Sequence, residues 1–156
     1  MIWMSMQKVN MNNLISDSDT KPVVEEKSLT HAQLLAALYW CYDSFSRVPI
    51  LFFPIFDTAK QIMKNDELSG THLDIGVREL EWYSGGKSIL DAFIDHFMIP
   101  TESTGNIVTY KVDGVPIRIH ILKDDVCLTQ CDTVLYEHED FKIPNPYERF
   151  EKIYGS

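Results

Sequence analysis

Leu51-Phe52-Phe53-Pro54-Ile55-Phe56-Asp57-Thr58-Ala59-Lys60-Gln61-Ile62, followed after a polar link by His72-Leu73-Asp74-Ile75-Gly76-Val77, is the stretch on which the fold turns. The apolar run at Ile50 to Phe53 predicts a short central strand, because a strand buried on both faces loses the usual polar alternation. Asp57 or Thr58 then caps a short helix expected over Thr58 to Lys64. Glu67-Leu68-Ser69-Gly70 turns the chain, and His72 to Arg78 alternates as a strand. Leu73, Ile75 and Val77 fall on one face of it, with His72, Asp74, Gly76 and Arg78 on the other.

Regular patterns extend on both sides of this stretch. Ser28 to Ser46 reads as a helix. Thr30 and Gln33 form a capping box, and Leu34, Leu35, Leu38, Tyr39, Tyr42 and Phe45 recur at helical spacing until Pro49. Ser84 is expected to cap a third helix running to about Met98. Ile107 to Val112 and Val115 to Leu122 flank Asp113-Gly114, a strong hairpin signal. Thr133 to Tyr136 reads as an edge strand. Asn145-Pro146 starts a closing helix. Residues 1–27 are polar and mixed and are expected to form a flexible N-terminal arm, with 28–156 as one domain. The fold class that follows is α+β, a small central mixed sheet flanked by helices.

The chain has 156 residues, enough for one substantial core. Its 14 basic and 23 acidic side chains give a net charge of −9. That argues against direct binding to a nucleic-acid backbone, which requires Lys and Arg to displace counterions. It favours a basic protein as partner. The acidic residues Asp124, Asp125, Asp132, Glu137, Glu139 and Asp140 gather in the last third. Cys41, Cys127 and Cys131 make an odd set without a disulfide pattern, so a reducing compartment is expected. With no transmembrane run and no secretory signal, the expected location is cytoplasmic. Ser84-Gly85-Gly86-Lys87-Ser88 lacks the earlier glycine of a phosphate-binding loop, because Glu81 stands there, and reads instead as a helix start.

The order helix, strand, helix, strand, helix, hairpin, with the segments around Asp57-Thr58 and His72-Leu73-Asp74, resembles the nucleotidyltransferase superfamily. It is most similar to the choline-phosphate-transferase and fukutin type, with a tail, Phe141 to Tyr147, like that of short phage-type relatives. The resemblance implies a phosphate-binding turn at the second helix. Here Asp57 takes the place of a glycine, and Thr58 offers a hydroxyl to a nucleoside triphosphate. It also implies two carboxylates on one strand and a third on a neighbour, holding Mg²⁺ or Mn²⁺. His72 stands at the first of those places, Asp74 at the second, and Arg118 and His120 face the third.

Two readings follow. The site is eroded, and the protein is an acidic binding or inhibitory module, a phage-like accessory to a basic nucleic-acid-handling protein. Alternatively, it is a metal-dependent nucleotidyl- or phosphocholine-type transferase acting through Asp74 and His72. If the two strands are neighbours, His72, Asp74 and His120 make a ligand set suited to Zn²⁺.

Overall fold

The computed structural model describes residues 27–93 and 102–155. The arm expected over residues 1–27 and His96 fall almost wholly outside this range. Helix α1 (His31–Phe45) begins at the expected capping box: the Thr30 side chain accepts from the Gln33 amide, and Gln33 accepts from the Thr30 amide. Strand β1 (Phe52–Pro54) leads into α2 (Phe56–Met63) and then β2 (Leu73–Arg78). A kinked helical run follows: α3 (Glu79–Glu81), a π-helical turn (Trp82–Gly86) and α4 (Lys87–Phe93). Next come β3 (Glu102–Thr104), β4 (Ile107–Val112), β5 (Val115–Leu122), α5 (Val126–Thr129), β6 (Asp132–Tyr136), β7 (Glu139–Ile143) and α6 (Tyr147–Tyr154).

Five strands form one mixed sheet in the order β1-β2-β5-β4-β3. Only β2 and β5 run parallel, placing Asp74 opposite Arg118 and Gly76 opposite His120. The other pairs in the sheet are antiparallel. Strand β1 lies at the edge, not the centre. Pro54 has no N–H to give to a second neighbour, so an edge is where such a residue fits. Strands β6 and β7 pair separately as a two-stranded sheet.

The sheet's two faces do different work. Leu73, Ile75 and Val77 of β2, with Ile117, Ile119 and Ile121 of β5, point into the main core against α1 residues such as Leu34, Leu38 and Phe45. The other face carries Asp74 and His120, bounded by a smaller cluster of Phe53, Ile55, Leu122, Cys127, Leu128 and Phe150. Among the described residues no helix is long and apolar enough to cross a membrane.

Several elements differ from the sequence expectation. Helix α2 starts at Phe56, and its cap position, Ile55, makes no side-chain capping bond. Ser84 does not cap a helix: its hydroxyl donates back to the Leu80 carbonyl, and the helical path bends at Ser84 and Gly85. Gly85 has φ of 106°, and a side chain at Gly86 would meet Ile50, so this glycine pair serves a bend and a close contact. The last helix starts at Tyr147 after Pro146, while the Asn145 side chain bonds Asp132 instead of capping.

Gly76 is the tightest point between β1 and β2. A Cβ there would lie 2.7 Å from the Phe53 ring and 3.0 Å from Leu122. Phe53 is fully buried, so its ring has nowhere to go. Gly76→Ala is expected to lower stability by about 1–3 kcal/mol through overpacking. Urea unfolding checks this, and Phe53→Leu in the same chain should recover part of the loss.

Candidate functional site

Strand alternation on β2 and the parallel pairing with β5 bring His72, Asp74 and His120 to one place. His72 Nε2 lies 3.0 Å from Asp74 Oδ2, and His120 Nε2 lies 2.8 Å from Asp74 Oδ1. Each carboxylate oxygen therefore has its own imidazole. The cluster is largely enclosed, with side-chain exposures of 23% for His72, 13% for Asp74 and 15% for His120.

Burial alone would raise the Asp74 pKa, because it disfavours the charged form. Hydrogen bonds from His120 and His72, together with their charge, outweigh it and bring the pKa down to about 2. An ionised carboxylate only accepts hydrogen bonds. Both Nε2 atoms must then carry the hydrogens, and in neutral His72 the bare nitrogen is Nδ1. That atom lies 2.9 Å from the Thr71 hydroxyl.

The sequence expectation places a metal centre on these three residues. The three residues meet, but their nitrogens point N–H groups at the carboxylate instead of lone pairs at a shared ion. Among the described residues no group of three or more His, Cys, Asp or Glu side chains is disposed to hold a metal ion. Mg²⁺ or Mn²⁺ would want several oxygen ligands, and Asp74 is the one carboxylate in the cluster. The three residues expected as a Zn²⁺ set are thus brought together, as neighbours joined by hydrogen bonds.

Thr58 is buried, and its hydroxyl accepts the Asp74 amide at 3.1 Å, tying α2 to β2. Asp57 is exposed in the first turn of α2, where its charge favours the helix N-terminus. Sequence reasoning missed Phe56. Its φ is 53°, a left-handed conformation that a bulky residue rarely adopts and glycine adopts freely. Its ring meets His120 edge-on at a centroid distance of 5.2 Å and leans on Phe150 at 5.8 Å. The need for glycine thus falls one residue before Asp57, and an aromatic ring fills the space. Nothing in the spacing of apolar residues marks that position.

The acidic third is partly neutralised within the fold. Asp125 caps α5 and receives two bonds from Arg149 at 2.7 and 2.9 Å. Those bonds hold its carboxyl well below the usual range. Asp124 pairs with Arg78 at 3.3 Å. Cys127 lies on the short helix α5 and Cys131 in the link that follows it. All three cysteines are free, and burial pushes the Cys127 and Cys131 thiols up to about 11. His138 lies in the β6–β7 turn with φ of 76°, away from the cluster's residues in sequence and sheet.

The depressed Asp74 pKa has a consequence for acid stability. Its folded value of about 2 lies below the ordinary value near 3.9. The stabilisation is present above about pH 4 and is lost as pH falls toward 2, on the order of 2 kcal/mol in all. Asp74→Asn should remove this pH dependence. It should also lower stability at neutral pH, because an amide presents an N–H to one imidazole in place of an acceptor. Urea midpoints measured from pH 7 to pH 2 check both effects.

No family model matches the chain, and no curated protein matches it in sequence. In three dimensions it is similar to a crystal structure from Thermotoga maritima, a protein provisionally described as a nucleotidyltransferase. The TM-score is 0.55 and the identity 13%, over 80% of this chain and 87% of that one. At that level the likeness concerns the fold, and the chain has a nucleotidyltransferase-like α+β fold.

Proposed function

We propose that this chain is a nucleotidyltransferase-like protein with an eroded metal site that acts by binding, as an acidic module on a basic protein. The observation that carries this reading is the state of Asp74: both of its oxygens are taken by imidazoles. Two-metal transfer needs several oxygen ligands converging on the ions. The cluster offers one carboxylate, already hydrogen-bonded on both sides.

The surface supports the binding half of the proposal. The chain carries −9 overall. On the β6–β7 sheet, Leu135 is 66% exposed and pairs across the strands with the exposed Asp140, and Glu137 is exposed in the turn that follows. An exposed apolar side chain beside a carboxylate suits a basic partner with a small apolar patch, and complementary charge speeds such an encounter. A nucleic-acid-handling protein has the required basic surface, and an inhibitory or accessory role follows the resemblance to short phage-type relatives. Nucleic-acid backbone itself is not the proposed ligand, and no membrane is involved.

Two measurements test the proposal. Each of the four nucleoside triphosphates with Mg²⁺ or Mn²⁺ should leave the melting temperature unchanged to within about 1 °C, since a ligand that does not bind the native state cannot stabilise it. A rise of several degrees that disappears in Asp74→Asn would replace this reading with the transferase one. His72→Asp combined with His120→Asp restores three carboxylates and should create an Mn²⁺-dependent rise absent from the parent. On the binding side, a captured basic protein should be released by raising salt, and Glu137→Lys with Asp140→Lys should abolish capture. Capture indifferent to both salt and charge reversal would sink the docking surface.

A further inference from the structure

We infer that the cavity between the end of α1 and strand β7 takes the side chain of an arginine on the basic partner. This rests on the acidic-module reading and names the residue type that the module selects. The cavity has a volume of about 150 Å³ and shares no residue with the Asp74 cluster. Buried Phe45, Phe52 and Phe141 line its inner part, and half-buried Tyr42 with exposed Ser46 and Asp140 its outer part.

The walls are aromatic and brace one another. Tyr42 meets Phe141 edge-on at a centroid distance of 5.5 Å, Phe141 meets Phe52 edge-on at 6.4 Å, and Phe52 leans on Phe45 at 5.3 Å. A guest therefore has little ordering of the rings to supply. Negative charge stands beside them. A hydrogen bond with Glu139, the charge of Glu139, burial and the charge of Asp140 together push the Tyr42 phenol up. The nearby cations are already engaged: Lys142 Nζ donates to Thr133 at 2.7 Å, and Arg47 pairs with Asp43 at 3.3 Å. Asp124 and Asp125 are matched by Arg78 and Arg149, whereas Glu139 and Asp140 make no ion pair among the described residues.

Rings next to carboxylates favour a cation with a flat, weakly hydrated head. The guanidinium of arginine stacks on aromatic rings and presents five N–H donors, two of which a carboxylate can accept at once. The Ser46 hydroxyl donates to the Asp43 carbonyl at 2.7 Å, which leaves its lone pairs to accept. A lysine ammonium is compact and strongly hydrated, and walls of this kind return few acceptors for the water it would shed. A phosphate or carboxylate guest is disfavoured by the sign of the charge.

The test titrates the full chain at low salt with a hexapeptide of arginines and one of lysines, equal in length and charge. The arginine peptide should bind more tightly, and its δ-methylene proton resonances should move upfield, because they would lie beside aromatic rings. Ser46→Trp fills the mouth without altering the charge, and Tyr42→Leu removes one wall. Each should weaken the arginine peptide at least about fivefold and leave the lysine peptide unchanged. Melting curves establish that each variant is folded. Equal binding of the two peptides, unaffected by either variant, would overturn the arginine pocket while leaving salt-sensitive binding by the acidic surface intact. Failure of both peptides to bind would overturn the pocket and that binding role together.

Discussion

The carboxylate of Asp74 is the point at which the separate parts of this structure are fastened together. Its side chain accepts from His72, just before β2, and from His120 on β5. Its amide donates to Thr58 on α2, and its carbonyl accepts from Ile55 at the junction of β1 and α2. A charge this enclosed is tolerable only because each oxygen has a donor. The same two donors that make burial possible also keep the group ionised. The parallel register of β2 and β5, the position of α2 and the protonation pattern of two histidines therefore depend on one another.

The sheet separates stability from chemistry. One face is a continuous apolar layer of Leu73, Ile75, Val77, Ile117, Ile119 and Ile121 under α1. The other face gives only part of its area to packing, through Phe53, Leu122 and Phe150, and leaves the rest to polar groups. Because successive strand residues point to opposite faces, a change at Asp74 or His120 leaves the main core's contacts in place. The frame and the polar cluster can in this way vary independently.

What could be read in the sequence depended on whether a residue's signal was local. The hairpin at Asp113-Gly114 was plain because those residue types accept the positive φ that the turn demands, and the structure has φ of 49° and 82° there. The β6–β7 hairpin uses Glu137 and His138 at φ of 48° and 76°, residues that carry no such signal. Strand β7 was therefore hidden within an acidic stretch. The meeting of His72, Asp74 and His120 was legible from alternation on two strands. The direction of their nitrogens was not, because it depends on side-chain torsions that pattern does not encode. Phe56 was illegible for a related reason: its backbone conformation is imposed by tertiary contacts with His120 and Phe150 against its own preference.

That aromatic contact makes the two imidazoles unlike. They are symmetric in their bonds to Asp74, but their surroundings differ. His120 is held edge-on by Phe56, which itself leans on Phe150 and, through it, on Tyr147 and Tyr154. His72 is the more exposed ring and adjoins a hydroxyl. The carboxylate thus has one partner braced against an aromatic stack and one that adjoins a hydroxyl and is more open to solvent.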